Sequence, residues 1–282
     1  MALPMTLLTG LVATAALTLA PQSKPAGGIT LSVQAWTFTR FTTAEAIEMT
    51  ARAGARNIEL FPGQTLKAGS NVRVGPEMGE EATRELRDVL SRHGLRAVAY
   101  GVTGIAKDPA QARTLFGWAK SLGIGVINTE STENLDTAEA MAKEFDIKVG
   151  IHNHPRRADD PNYRVWDPAY VLSQVKNRDR RIGACADTGH WVRSGIRPID
   201  ALKILKGRVV SSHLKDLNEF SPAGHDVPFG TGISDIPAIL RFYQSEKFDG
   251  PVSVEYEHNM ERSLPEVSSC IGFVRGFITP KR

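Results

Sequence analysis

The segment Ile182-Gly-Ala-Cys-Ala-Asp187-Thr-Gly-His190 is a short apolar run that ends in an aspartate and, three residues later, a histidine. An uninterrupted apolar run of this length is typical of a strand that is buried on both faces of a parallel sheet. Seven similar runs occur in the chain. They cover residues 31–37, 57–61, 95–101, 124–130, 147–152, 209–213 and 252–255.

Segments with helical spacing and helix-start signals separate these runs. Thr42-Thr-Ala-Glu45 is a capping box, and Asp108-Pro109 and Asp167-Pro168 each place a proline just after an N-cap residue. Eight strands, each followed by a helix, in about 250 residues predict an α/β fold of the single (β/α)8 type, a TIM barrel. A doubly wound open sheet would carry a Gly-rich turn after its first strand, where this chain has Gln34-Ala-Trp-Thr-Phe-Thr39.

The first 28 residues do not fit this alternation. Residues 6–20 are apolar and uncharged, but a bilayer span needs roughly 20 such residues. We interpret them as the hydrophobic region of an export signal with cleavage after Ala20, followed by a tether at residues 21–28. Residues 29–282 then form the barrel domain. The protein is expected to be periplasmic or extracellular, or cytoplasmic if the leader is not cleaved, without a stable membrane span.

The overall composition argues against two classes of protein. The chain is 41% hydrophobic and has a net charge of +3, which gives no case for a clustered basic face that binds nucleic acid. Its two cysteines, Cys185 and Cys270, are too few for a disulfide framework. The composition is that of an ordinary globular protein, and it is compatible with a homo-oligomer.

Five consecutive predicted strands end in carboxylates or imidazoles. These endings are Asn128-Thr-Glu130, His152-Asn-His154, Asp187-Thr-Gly-His190, His213-Leu-Lys215-Asp216 and Glu255-Tyr-Glu257. In a barrel these ends converge on one mouth, and crowded ionisable groups there need a shared counter-ion. A divalent metal with mixed carboxylate and imidazole ligands is the usual solution. A chance set of loop charges rarely accounts for five strand ends in a row.

Three of these residues are the firmest metal candidates: Asp187, His213 and Glu255 each close an apolar strand, where an unpaired charge would cost several kcal/mol. Glu130 is the further ligand we predict, in competition with the pair His152 and His154, which face the same way on a strand. Of that pair, the more distal His154 is the one expected to reach the metal, with His152 below it.

Other polar and aromatic residues are candidates for substrate contact. His190 and Lys215 lie just past strand ends, where they suit substrate oxygens, although Lys215 could instead neutralise Asp216. Glu59 either faces the mouth or pairs with an arginine. Trp36, Phe61 and Trp191 either form an apolar wall under a sugar ring or belong to the core.

The order and spacing of these strand endings resemble the xylose isomerase-like TIM-barrel superfamily of sugar phosphate isomerases and epimerases, from about Leu31 onward. The resemblance implies one divalent ion, commonly manganese, with Mg²⁺, Co²⁺ or Zn²⁺ as alternatives. Its ligands come from strands five to eight, and the last three map onto Asp187, His213 and Glu255. On strand five the epimerases have a glutamate where this chain has His152-Asn-His154, which is similar to the dehydratase-like branch.

The activity implied is that of an isomerase or epimerase that acts on a keto sugar through an enediolate. Glu255 or His154 is the expected base, while His190 and Lys215 orient the sugar. The alternatives are a lyase or hydratase that acts next to the ketone of a 3-keto glycoside or inosose, and a sugar-binding barrel without catalysis. An endonuclease IV-like nuclease would need three zinc ions, and strands two to four do not supply the extra ligands.

Overall fold

A computed structural model describes residues 28–279, so the predicted leader lies outside the described residues. No helix within 28–279 is long and apolar enough to span a bilayer. Eight strands are present: β1 Thr30–Gln34, β2 Asn57–Leu60, β3 Arg96–Tyr100, β4 Val126–Thr129, β5 Lys148–His152, β6 Ile182–Asp187, β7 Val209–Leu214 and β8 Pro251–Val254. The α-helices are α1 Thr43–Arg52, α2 Gly79–Arg92, α3 Pro109–Ser121, α4 Leu135–Phe145, α5 Pro168–Val175, α6 Thr188–Arg193, α7 Pro198–Ile204, α8 Ile236–Ser245 and α9 Leu264–Ile278.

The strands form a closed barrel in sequence order, and β1 pairs with β8. All neighbouring pairs are parallel. Because every strand runs the same way, all eight carboxyl ends open on one face of the molecule. The predicted TIM barrel is therefore confirmed.

The predicted helix starts are also confirmed. Thr42 and Glu45 form the reciprocal capping box of α1, and the side chains of Asp108 and Asp167 accept backbone hydrogen bonds at the starts of α3 and α5. In each case an otherwise unpaired amide of the first turn is satisfied locally. The helices can therefore begin at fixed points and pack their apolar faces on the barrel.

Two elements differ from the prediction. The first strand ends at Gln34, three residues earlier than expected, because the Gln34 side chain accepts a hydrogen bond from the Trp36 amide and starts a 3₁₀ helix at Ala35–Phe38. A further helix, α6, begins directly after β6, where Asp187 Oδ1 accepts the His190 amide at 2.7 Å. Asp187 thus caps a helix with one oxygen and keeps Oδ2 for another role.

The interior of the barrel contains polar groups at mid-height. Glu59 on β2 contacts side chains from β4, β7 and β8, which only an inward-facing residue can reach. Asn128 also reaches Ser211 across the interior, with its Oδ1 accepting the hydroxyl at 2.7 Å. Gly150 makes room for this contact, since a Cβ there would lie 2.6 Å from Asn128 Oδ1. Outside this layer, the apolar core lies between strands and helices.

Candidate active site

Four side chains from consecutive strands meet at the carboxyl end of the barrel. His152 ends β5, Asp187 ends β6, His213 lies on β7 and Glu255 follows β8. One ligand atom from each lies within 4.8 Å of the others. None of the four residues is more than 6% exposed. The structure therefore brings together the three predicted ligands, and the strand-five member of the group is His152.

The atoms that face one another in this cluster have no hydrogen bonds. They are both ring nitrogens of His152, Asp187 Oδ2, His213 Nδ1 and Glu255 Oε2. The distances are 3.5 Å from His152 Nε2 to Asp187 Oδ2 and 3.1 Å from His213 Nδ1 to Glu255 Oε2. Buried polar atoms are normally paired, so convergent lone pairs of this kind suit a cation. Two imidazoles and two carboxylates form a donor set that divalent transition metals accept.

Glu59 lies beneath the cluster, fully buried, and determines how His213 is oriented. Its carboxylate accepts hydrogen bonds from Asn128 Nδ2 and Ser253 Oγ, both at 2.7 Å, and lies 3.0 Å from His213 Nε2. A proton on Nε2 leaves Nδ1 as the lone-pair atom facing Glu255 and Asp187. Carboxylates commonly orient metal-binding histidines in this way. Glu59 therefore does not reach the mouth, and it pairs with a histidine instead of an arginine.

Lys215 is fully buried beside the same oxygens. Its Nζ lies 3.2 Å from Asp187 Oδ2, 2.9 Å from Glu255 Oε2 and 2.8 Å from Glu257 Oε2. Only the Glu257 contact is a hydrogen bond; toward the other two oxygens the ammonium is at ion-pair distance without hydrogen-bond geometry. Lys215 thus belongs to the site and does not pair with Asp216. It is anchored by Glu257, which also accepts hydrogen bonds from Arg193 and Trp36.

The charges of the cluster shift the pKa values of its members. Although burial opposes the change, the Lys215 ammonium holds the pKa of Asp187 well below its usual range. Burial also opposes the positive charge of Lys215, but the three neighbouring carboxylates raise its pKa well above normal. Burial is the main cause that lowers the pKa values of His152 and His190. Asp187 therefore stays ionised and His152 stays neutral, and these are the forms that bind metals.

Above the cluster lies a cavity of about 330 Å³ that opens at the barrel mouth. Its lining consists of Gln34, Trp36, Phe61, Val102, Glu130, His152, His154, Glu255 and Glu257. The rings of Trp36 and Phe61 lie 4.7 Å apart and form its apolar side. The volume is at the lower end of the range for small-molecule sites, and an apolar wall opposite polar groups suits a sugar ring.

Glu130 and His154 lie outside the four-residue cluster, on the far side of His152. Glu130 contacts His154 Nδ1 and accepts a hydrogen bond from the Tyr163 hydroxyl at 2.9 Å. With His152 these residues form a second group of potential ligand atoms. The structure therefore separates Glu130 from Asp187, His213 and Glu255, and His152 takes the place expected for Glu130 or His154. The reason is that the His152 ring is directed at Asp187 and His213.

One predicted aromatic residue lies elsewhere. Trp191, expected in the apolar wall, is only 1% exposed and belongs to the hydrophobic core, since α6 directs it inward. By contrast, His190 on the same helix contacts the cluster, with Nε2 at 3.6 Å from Asp187 Oδ2. Successive residues of a helix point about 100° apart, so the side chain of His190 faces the cluster while that of Trp191 faces the core.

Several residues of the site were not identified from the sequence. Asn153 exchanges two hydrogen bonds of 2.9 Å with the Asp187 backbone and so holds the end of β6. Arg193 and Gln34 also had no assigned role. For Asn153 and Gln34 the only available signal was a position at a strand end. Arg193, the last residue of α6, offered none, because the contacts of all three come from distant elements.

The Gly230-Thr-Gly232 turn does not offer a free anion site. Asp216 Oδ2 accepts the amides of Gly230 at 2.9 Å and Gly232 at 3.0 Å, and Oδ1 accepts the Ser234 amide at 3.0 Å. A carboxylate of the protein itself thus occupies the position that a phosphate would need. The turn orders the loop before α8.

A family model described as xylose isomerase-like TIM barrel matches residues 47–270. The chain belongs to this family. A search of curated proteins found no match. Among solved structures, a putative uncharacterized protein from Parabacteroides distasonis is 27% identical, with a TM-score of 0.70 over 88% of this chain and 99% of that one.

Two more distant solved structures show the same fold. One is a sugar phosphate isomerase/epimerase from Parabacteroides distasonis, 15% identical with a TM-score of 0.67, covering 94% of this chain and 100% of its own. The other is a probable 3-DHS dehydratase from Bacillus anthracis, also 15% identical, with a TM-score of 0.59 over 87% of this chain and 98% of its own. The likeness in fold thus extends to proteins named for isomerisation and for dehydration.

Proposed function

We propose that this protein is a divalent-metal-dependent enzyme that isomerises or epimerises a keto sugar through an enediolate. The observation that supports this most strongly is the cluster of His152, Asp187, His213 and Glu255, whose buried lone pairs converge without hydrogen-bond partners. These four residues would hold the ion. When bound, a divalent cation supplies Lewis acidity toward a carbonyl oxygen. Manganese is the ion that we propose, and the donor set also accepts Co²⁺ or Zn²⁺.

The other residues of the cavity fit the handling of a small sugar. Trp36 and Phe61 would pack against one face of the ring, and Gln34 and Glu257 complete the polar part of the lining. Lys215 Nζ, held by Glu257, supplies a fixed positive charge beside the carboxylates at the cavity floor. Such a charge stabilises negative charge that develops on a substrate oxygen. His190 lies 3.4 Å from Lys215 Nζ and orients it.

The proton transfer requires a base on the cavity wall. Glu255 and His154 are the two lining groups in position for this step. His154 lies on the side of Glu130 and Tyr163, whereas Glu255 lies at the cluster, so the two groups approach the sugar from different directions. Removal of a proton by one group and its return by the other changes a stereocentre, and return at the neighbouring carbon gives an isomer.

Elimination next to the ketone is the second candidate activity. The observation in its favour is the imidazole pair at the end of β5, of which His154 lines the cavity and can relay a proton to a leaving group. One of the family structures is named a probable dehydratase. The same first step, removal of a proton beside the ketone, serves both reactions, and they diverge only in where the second proton goes.

The decisive experiment combines metal analysis with solvent exchange. Purified protein would be dialysed, loaded with Mn²⁺, and incubated in deuterated water with D-fructose, D-allulose and a 3-keto glucoside, while NMR follows the products. Deuterium at the carbon beside the ketone supports the proposal, and a new unsaturated product assigns the lyase reaction. His213→Ala is the control without metal. If every sugar keeps its protons, the barrel only binds, and if the wild-type protein takes up no metal, the proposal is wrong.

A further inference from the structure

The active-site cavity adjoins a second cavity at the barrel mouth. This outer cavity has a volume of about 460 Å³ and is lined by Arg40, Glu257, Asn259, Met260, Glu261 and Arg262. The inner cavity above the metal cluster measures about 330 Å³. Glu257 lines both cavities. A ligand that fills the inner cavity and continues past Glu257 therefore enters the outer one.

The lining of the outer cavity differs chemically from that of the inner one. It contains no aromatic side chain, and it combines two guanidinium groups, two carboxylates, one amide and the thioether of Met260. Such a lining provides both donors and acceptors for vicinal hydroxyl groups, together with one apolar contact. This is the chemistry of a sugar-binding surface and not of an apolar side pocket.

The polar groups of the outer cavity are available to a ligand. Glu257 is already neutralised by Lys215 and Arg193. In the part of the chain that the structure describes, Arg40, Glu261 and Arg262 have neither ion pairs nor side-chain hydrogen bonds. The two arginines and Glu261 leave a net charge of +1, spread over side chains that can donate hydrogen bonds to hydroxyl groups and accept them.

The outer cavity is built from loops that also form the active site. Arg40 lies between β1 and α1, and residues 257–262 lie between β8 and α9. Asn259 has a left-handed φ of 51°, and its carbonyl accepts the Arg262 amide at 2.7 Å. This tight turn fixes where Met260 and Arg262 stand relative to Glu257. An uncommon backbone conformation of this kind is often found at functional sites.

We propose that the outer cavity binds a second sugar residue, so that the substrate is a glycosylated ketose and not a free monosaccharide. This inference rests on the proposed function, since it assigns the keto sugar to the inner cavity. The second residue extends past Glu257 and forms hydrogen bonds with Arg40, Asn259 and Arg262. Contact with both cavities gives a disaccharide more binding energy than either ring alone.

The test compares D-fructose with the five glucosyl-fructose isomers trehalulose, turanose, maltulose, leucrose and isomaltulose. These disaccharides differ only in the linkage, so the set varies the direction in which the glucose residue extends from a fructose ring bound in the inner cavity. Isothermal titration calorimetry with the Mn²⁺-loaded full chain would measure each affinity. At least one isomer should bind tenfold or more tightly than D-fructose. Arg262→Ala and Arg40→Ala, which lie on separate loops, should each remove most of that gain.

The control is Arg84→Ala, which changes an arginine in a different cavity, between α2 and α3, and should keep the gain. If D-fructose binds and no isomer binds more tightly, the second subsite is refuted while the proposed function stands. The same holds if the gain survives both outer-cavity variants. Failure of the wild-type protein to bind any of the six sugars overturns this inference together with the ketose specificity on which it rests.

Discussion

Replacement of Glu59 by glutamine should weaken metal binding without changing any of the four proposed ligands. The carboxylate lies 3.0 Å from His213 Nε2 and is fully buried, so no water can take its place. In Glu59→Gln the neutral amide accepts a weaker hydrogen bond, and it no longer favours the tautomer that leaves Nδ1 free. The His213 ring then spends less time in the form that faces Glu255.

The size of the loss in metal affinity follows from the change from a charged to a neutral hydrogen-bond acceptor beside His213. A hydrogen bond to a charged group contributes about 1.5–3 kcal/mol, against about 0.5–1.5 kcal/mol for a neutral pair. The loss is therefore about 1–1.5 kcal/mol, which corresponds to roughly a tenfold higher Kd for the metal. This agrees with the 10–100-fold losses of affinity that are typical when the partner of a metal-binding histidine is changed, about 1.4 kcal/mol or more.

The assay is a calorimetric titration of the metal-free protein with Mn²⁺. Ser253→Ala is the matched control, since it removes one hydrogen bond from Glu59 Oε2 but keeps the carboxylate and its contact with His213. This variant should change the Kd by less than about threefold. Circular dichroism would show that both variants fold. An unchanged Kd in Glu59→Gln would refute the argument that Glu59 orients His213.

Three further predictions concern the ion, its ligands and pH. Removal of the metal with a chelator should lower the Tm of the wild-type protein, because an ion present at 100 times its Kd stabilises the folded state by about 2.7 kcal/mol. Calorimetric scans with and without the ion would measure this shift. Equal Tm values would contradict a bound ion. His213→Ala should remove metal from the dialysed protein, measured by elemental analysis, while circular dichroism still shows the barrel; full metal content would exclude His213 as a ligand. Burial raises the pKa of Asp226 from 3.8 to about 7, so the folded state binds a proton that the unfolded chain releases. The stability that this group contributes is therefore full below about pH 4 and is lost as the pH rises toward 7. Asp226→Asn should flatten the plot of Tm against pH over this range. An unaltered slope would contradict the argument that burial raises the pKa of Asp226.

The polar interior of the barrel explains why part of the site was not predictable. Glu59, Asn128 and Ser253 lie on three different strands, and each looks like an isolated polar residue in the sequence. They form one network only because barrel closure directs all three inward at the same level. Local periodicity can predict that a side chain faces inward, but not which distant side chain it meets.

Strand five shows the same limit at the metal cluster. The spacing of His152 and His154 predicts that both rings face the interior. The backbone register pairs His152 with Cys185, two residues below Asp187, so register alone would place His154 at the level of Asp187. The structure instead turns the His152 ring toward Asp187 and places His154 against Glu130. The directions of the rings decided the outcome, and no spacing in the sequence encodes them.

The sequence by itself determined the number and order of the strands, the helix starts, and the three candidate ligands Asp187, His213 and Glu255. These features depend on local periodicity, capping and the position of a charge at the end of an apolar run, all of which are properties of neighbouring residues. Only the tertiary structure decided that His152 joins those ligands, that Glu59 supports His213 and that Lys215 is anchored by Glu257. Such contacts join residues up to 154 positions apart, and they exist only once the barrel has closed.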